Sequence, residues 1–303
     1  MPMYRLRENL QIHRKGAEIG EEIVDYFKPA SKKELLRTIS GSSFDKSKDL
    51  LLAGGTDIVV QMEHFGLEPK KLLDIKGIKS LKGIRKTGNT IHIGTLTTVT
   101  ELLESKIIAK NAPLLRQAAF SFAATQIRNR STIGGNLCNA SPAGDLIPPL
   151  YALKAKVKLE SAKGDRNVHI QSFFIGPGKT ILKRGELLTE ISFKALEKDE
   201  NNFFYKLGQR EAMAIAVISI AGRYKLVNGK FKNARIALGA VAPTVIRAAK
   251  TEKWLNGSEK TELILKKAGK MASEECSPIS DVRGSSEYRR LMVEKLLSDL
   301  LLI

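Results

Sequence analysis

The chain has 303 residues, 43% of them hydrophobic and 27% charged, enough to bury a sizeable core and to divide into two or three domains. No run approaches the roughly 20 apolar residues of a membrane span, the start MPMYRLRENLQIHRKG lacks the apolar core of a signal peptide, and two isolated cysteines, Cys138 and Cys276, suit neither a disulfide framework nor a zinc or iron–sulfur site; the cytoplasm is the expected compartment. The net charge of +18 could serve a polyanion, but the lysines are interleaved with Glu and Asp as on a solvated surface, and 6% aromatic residues suggest no stacking platform for nucleic acid.

After about 20 polar and basic residues of little pattern, Ser31 with Glu34 forms a capping box that opens a short helix. Residues 40–49 read as loop, Leu50 to Ala53 as a buried strand, and Thr56 to His64 as a helix after a glycine turn. Strands are expected at Lys71 to Ile75 and Thr90 to Gly94, then helices from Thr98 to Ser105, with Glu101 completing a second capping box, and from Pro113 to Ala124. Leu146 to Leu153 reads as a helix, and Ala155 to Glu160 and Asn167 to Ile170 as strands joined by the turn Lys163 to Arg166. Phe173 to Thr180 ends in Gly-Lys-Thr, but Phe173 stands where a phosphate-binding P-loop needs its first glycine, so that motif is discarded. Leu187 to Phe193 closes this alternating half as a strand.

The polar run Glu197 to Asn202 is the best linker in the chain. Beyond it, Phe203 to Leu207, Ala214 to Leu226 and Phe231 to Ala240 read as strands, and Val245 to Leu255, Thr261 to Glu275 and Ser285 to Leu301 as helices. Strands followed by helices make an α+β unit of a different style from the first half.

Two glycine pairs about 80 residues apart stand out. Gly54-Gly55 lies between an apolar strand and a helix, where free N–H groups and the helix dipole favour an anion. Gly134-Gly135 sits in Thr125 to Tyr151, TQIRNRSTIGGNLCNASPAGDLIPPLY, among small hydroxyl and amide side chains and one carboxylate, Asp145. Without a Cβ, either pair can aim successive N–H groups at a phosphate, although each alone is equally an ordinary tight turn. Two such loops imply a dinucleotide lying between two lobes, and no G-x-G-x-x-G marks an ordinary Rossmann site. His13, His64, His92 and His169 have no ligand spacing, and no nucleophile elbow or catalytic carboxylate pair is present.

The segments AGGTD (53–57), TIGGN (132–136), NASPAGDL (139–146) and DVRGSSEYRR (281–290) together resemble the FAD-binding subunit of the molybdenum hydroxylases, the family of the carbon monoxide dehydrogenase medium subunit and the xanthine dehydrogenase flavin domain. The resemblance implies an α+β fold: an N-terminal segment (1–24), a two-lobed FAD-binding domain of the PCMH/vanillyl-alcohol-oxidase-like type (25–196, lobes about 25–80 and 81–196), and a smaller C-terminal domain of three strands and three helices (203–303). It implies that Leu51, Leu52, Ala53, Gly54, Gly55, Thr56, Asp57 and Ile58, with Thr132, Ile133, Gly134, Gly135 and Asn136, wrap the FAD diphosphate through threonine hydroxyls and loop amides. Asp57 and Asn136 would lie nearest the isoalloxazine, and Lys206 close to the flavin. Asp145, with no basic residue adjacent, would accept hydrogen bonds from the nucleotide. Phe122 would rest on the adenine and Leu187 or Leu188 cover its other side, though core packing explains these three equally well.

By the same resemblance the chain would be an oxidoreductase subunit that oxidises no substrate alone and contributes no catalytic or metal-ligating residue. Electrons would reach its noncovalent FAD from a [2Fe–2S] small subunit served by a molybdopterin-containing large subunit in a heterotrimer, and leave to an external acceptor; neither nucleic acid nor a membrane span is implied. A self-contained flavin reductase of the enolpyruvyl-reductase type would need its own acids and bases, and the DVRGSSEYRR segment argues against it. A non-catalytic polyanion-binding protein leaves both glycine loops unexplained. Valine at Gly54 or Gly135 is expected to abolish FAD binding while sparing the fold.

Overall fold

A computed structural model describes residues 7–8 and 24–302; most of the expected N-terminal segment lies outside them. The first lobe is a four-stranded parallel sheet in the order β1-β2-β4-β3, built from β1 (Arg7–Glu8), β2 (Asp25–Phe27), β3 (Asp49–Leu52) and β4 (Lys71–Asp74). Its helices are α1 (Lys32–Ser40) and α2 (Ile58–His64). Ser31 Oγ caps α1 by accepting the Glu34 N–H at 3.2 Å, but the Glu34 carboxylate takes the N–H of Ala30, one residue before the cap, so the reciprocal box is not closed.

The second lobe is a five-stranded antiparallel sheet, β5-β6-β11-β7-β8. It comprises β5 (Ile84–Thr87), β6 (Thr90–Gly94), β7 (Lys156–Ser161), β8 (Gly164–His169) and β11 (Leu187–Lys194), with β9 (Phe174–Gly176) and β10 (Lys179–Thr180) forming a separate hairpin. The helices of this lobe are α3 (Val99–Glu104), α4 (Lys106–Asn111), α5 (Pro113–Ser121), α6 (Thr125–Arg128), α7 (Ile133–Asn139) and α8 (Ile147–Ala152). Here Thr98 and Glu101 do close the expected capping box. Leu96 and Leu187 from this lobe join Leu35, Leu73 and Leu81 in the first lobe's core, so the two lobes share an apolar floor.

The C-terminal unit is a four-stranded antiparallel sheet of β12 (Asn201–Leu207), β13 (Ile218–Val227), β14 (Lys230–Gly239) and β15 (Ile246–Arg247). Behind it lie α9 (Ala249–Leu255), α10 (Glu262–Glu274) and α11 (Ser286–Leu302). The fourth strand is a correction to the expected three: Ile246 and Arg247 pair with Leu238 and Ala237, so the helix expected from Val245 begins at Ala249. The expected linker is also an ordered lead-in. Glu197 and Asp199 both hold Lys225, at 2.6 and 2.9 Å, Glu200 holds Arg223 at 2.9 Å, and Asn201 already belongs to β12. Arg289 of the DVRGSSEYRR run is buried, donating to the Val217 and Ala240 carbonyls at 2.9 and 2.7 Å and to Asp281 at 2.6 Å, which ties α11 to the strand ends.

Candidate functional site

Between the lobes lies a cavity of about 820 Å³, with Ile215 of the C-terminal unit on its wall, a size in the range of about 300–1,000 Å³ usual for cofactor sites. The turn from β3 to α2 forms one wall through Ala53, Gly54, Gly55, Thr56, Asp57 and Ile58, with Leu51 beside it. Gly55 has φ +79°, a left-handed conformation that favours glycine. The apolar strand ends there and the helix has not yet begun to consume donors. Among the described residues, the N–H groups of Gly54, Gly55, Thr56, Asp57 and Ile58 therefore donate to nothing in the protein.

The opposite wall carries Thr132, Gly135, Asn136 and Asn139, and here the structure departs from the expected loop. Thr132 to Asn136 is the first turn of α7, capped by the Thr132 side chain. Its N–H groups are already engaged: Ile133 on Thr97 O at 3.0 Å, Gly134 on Thr95 O at 2.9 Å, Gly135 on Thr132 Oγ1 at 3.0 Å and Asn136 on Thr132 O at 3.0 Å. What this wall leaves open is a side-chain acceptor, since Asn136 Oδ1 is buried without a partner.

The walls touch. A Cβ on Gly54 would come within 2.1 Å of the Arg130 carbonyl oxygen, and Thr56 Oγ1 lies 2.8 Å from Ser131 Oγ. Valine at Gly54 would accordingly damage the fold as well as the site, contrary to the expectation from sequence. A Cβ on Gly134 would come within 1.7 Å of Thr95 Oγ1, whereas one on Gly135 would meet only Thr132 Oγ1, at 3.0 Å. Phe122 and Ala123 add an apolar patch, the latter at φ 37°, with Arg128 donating to both of their carbonyls at 2.9 and 3.1 Å. Fixed charge in the cavity is close to balanced: the Lys46 and Lys183 ammoniums stand against Asp49 and Asp57, while Glu186 is held by Arg166 at 2.7 and 2.8 Å. Asp57 in turn accepts from Gln61 at 2.5 Å and Asn139 at 3.4 Å.

Several residues named from the resemblance stand elsewhere. Leu52, Ile133 and Gly134 are buried behind the walls, and Leu187 and Leu188, adjacent on a strand and so facing opposite ways, enter the cores of the first and second lobes. Asp145 does have a basic neighbour, in space: Lys206 Nζ lies 2.6 Å from Asp145 Oδ2 and 3.1 Å from Ser121 O, and neither residue lines the cavity. Burial pushes the Asp145 carboxyl up to about 6, against the opposing pull of Lys206, and Asp145 Oδ1 is left buried and unpartnered. Gln61, Ala123 and Ile215 line the cavity without having been singled out in the sequence, and Ile127, Ser131 and Asn139, which fall within the Thr125–Tyr151 stretch, line it without having been named as site residues. Among the described residues no group of His, Cys, Asp and Glu is arranged to hold a metal ion, and no helix is long and apolar enough to cross a membrane.

An interlobe cavity with a row of free amides on a strand-to-helix turn defines a protein that holds a phosphate-bearing cofactor. Residues 20–193 match the family model described as the FAD binding domain in molybdopterin dehydrogenase, and residues 203–302 that of the CO dehydrogenase flavoprotein C-terminal domain. The chain is 34% identical over 261 residues to the xanthine dehydrogenase FAD-binding subunit of Escherichia coli O157:H7, covering 84% of this chain and 89% of that one. It is also 34% identical over 271 residues to the glyceraldehyde dehydrogenase medium chain of Sulfolobus acidocaldarius, covering 89% and 94%. A solved carbon monoxide dehydrogenase from Hydrogenophaga pseudoflava, lacking the Mo-pyranopterin moiety of its molybdenum cofactor, superimposes with a TM-score of 0.86 at 32% identity over 91% of this chain and 95% of that chain. The chain belongs to the FAD-binding medium subunits of the molybdenum hydroxylase family. FAD is the cofactor of that domain, and the residues present fit it: five free amides for a diphosphate, an unpartnered Asn136 Oδ1 for a donor, and an apolar patch at Phe122.

Proposed function

We propose that the chain is the electron-exit subunit of a three-chain assembly, receiving electrons from [2Fe–2S] clusters on one partner, which a molybdopterin-bearing partner supplies by oxidising the substrate, and passing them to an external acceptor. Residues 25–196 would hold the cofactor and 203–303 would close the cavity. When bound, FAD supplies a ring system that accepts and returns electrons. The observation that carries the reading is the row of N–H groups from Gly54 to Ile58, free among the described residues, on a cavity whose fixed charges nearly balance; oriented amides favour a diphosphate there. Asn136 Oδ1 accepts a donor from the cofactor, Phe122 and Ile127 cover its apolar parts, and Gln61 and Asn139 fix the Asp57 carboxylate beside it. With the Asp57 and Glu186 carboxylates engaged, Asp49 held through one oxygen by the Asp45 N–H at 2.9 Å and no histidine among the lining residues, the lining serves to hold and orient.

Stopped-flow absorbance tests this directly. The FAD-loaded chain alone should be reduced by dithionite but not by xanthine or glyceraldehyde, the substrates in the names of its relatives, and adding the cluster-bearing and molybdenum-bearing chains should couple a substrate to it. Acid should release the yellow chromophore into the supernatant. Reduction of the isolated chain by an organic substrate would instead establish a self-contained flavoenzyme.

A further inference from the structure

A cluster of cations lies at the seam between the FAD-binding domain and the C-terminal sheet. Arg223 on β13 and Arg235 on β14 are cross-strand partners, and Arg247 on β15 pairs with Ala237, two residues along, so all three stand on one face. Arg223 Nε crosses the seam to donate to Ala152 O, at the end of α8, at 2.8 Å. Lys154, at φ 54° just beyond α8, is close enough to feel all three: reduced hydration first, then Arg235, Arg223 and Arg247, hold its ammonium below the ordinary lysine value.

Two carboxylates answer these four cations, and each is already engaged by its own arginine. Glu200 takes Arg223 Nη1 at 2.9 and 3.3 Å, and Glu252 takes Arg247 through Nε at 2.9 Å and through Nη2 while also accepting the Ile236 N–H at 2.8 Å. Arg235 has neither a hydrogen bond nor an ion pair among the described residues, and its Nη1 is buried without a partner. Arg223 Nη2 and Arg247 Nη1 likewise donate to nothing among the described residues. Like charges directly opposite on a sheet repel, and although Arg235 as a whole is only half-buried, its Nη1 is withdrawn from water with no counter-ion in reach. An oxyanion from outside the chain would satisfy that nitrogen.

We propose that Arg235, flanked by Arg223, Arg247 and Lys154, forms a seat for an oxyanion, a phosphate or carboxylate group that completes the interdomain seam. The guanidinium forks supply the planar paired donors such groups accept. The occupant comes either from solution or from a carboxylate side chain of a partner chain. This seat is independent of the flavin cavity, none of whose lining residues it shares.

The test is thermal unfolding of the FAD-loaded full chain in chloride and in inorganic phosphate or succinate at matched ionic strength. Saturating oxyanion should raise the wild-type midpoint by about 5 °C or more over chloride. In Arg235→Gln that response should vanish, while in chloride the variant should be at least as stable as wild type because the unpaired charge is gone. Lys232→Gln, an exposed charge on the same strand, should keep the full response and so controls for general salting effects. Titration calorimetry on the wild type needs no variant: saturable phosphate or succinate binding supports the seat, and its absence for both overturns it, as would an equal response in wild type and Arg235→Gln. In the assembled complex a retained response assigns the seat to free anions, and a lost one assigns it to a partner's carboxylate.

Discussion

Gly54-Gly55 and Gly134-Gly135 look alike in the sequence and flank one cavity, yet they shape it by different physics. In each pair the first glycine lets two backbones approach: Gly54 against the Arg130 carbonyl, Gly134 against Thr95. The second glycines differ. Gly55 takes a left-handed turn that leaves five successive N–H groups without a partner among the described residues, whereas Gly135 is helical and its N–H is already held by Thr132. One pair presents donors; the other seats a helix. A glycine pair is thus a statement about space, and only backbone hydrogen bonding shows whether that space serves a ligand.

Of the changes at the second pair, the largest effect should come from Gly134→Ala. Its Cβ would overlap Thr95 Oγ1 and approach Thr95 O at 2.7 Å, and overpacking against a carbonyl with no room to move should cost about 3 kcal/mol or more. Denaturant unfolding of the flavin-free protein measures it; a loss below about 1 kcal/mol would mean that α7 is not seated by this contact.

The region beyond α7 responds to pH. Asp145, raised from 3.8 to about 6 by burial, binds its proton more readily in the folded than in the unfolded chain. Stability should therefore fall as pH rises from about 4 to about 6, by up to about 3 kcal/mol, and level off above that. Asp145→Asn should remove this slope. Parallel stability–pH curves for variant and wild type would show that the carboxyl titrates normally.

Gly55→Ala should cost about 1–2 kcal/mol, because φ +79° strains an L-residue, and should lower FAD content by turning the amide row. Gly135→Ala is the mildest change. Its Cβ meets only Thr132 Oγ1, and the gain in helix propensity of up to about 1 kcal/mol offsets that crowding. Stability should hold within about 1 kcal/mol while FAD affinity falls, since Gly135 lines the cavity. Unchanged affinity in equilibrium titration would remove Gly135 from the binding wall.

The β3 turn was legible because its signals are local: an apolar run, two glycines, then a helical pattern. The helix α7 was not, since IGGNLCN contains two glycines and two asparagines, all poor helix formers; what makes it a helix is distant in sequence, the Thr95 and Thr97 carbonyls that accept its first N–H groups. The Asp145–Lys206 pair spans 61 residues and two domains, so a carboxylate with no basic neighbour along the chain gains one only on folding. Leu187 and Leu188 were ambiguous for a related reason: burial in two cores and contact with a ligand select the same side chains. Asn136, by contrast, was named from the motif and stands on the cavity wall with an open acceptor.

Amide hydrogen exchange with and without FAD, read by mass spectrometry on short peptides, addresses the two-pair account most directly. In the flavin-free protein the N–H groups of Gly54 to Ile58 should exchange fast, and those of Ile133 to Asn136 slowly, because the latter are hydrogen-bonded already. Adding FAD should slow exchange sharply in the first segment and leave the second nearly unchanged. New protection confined to Ile133–Asn136, with Gly54–Ile58 still exchanging freely, would contradict it.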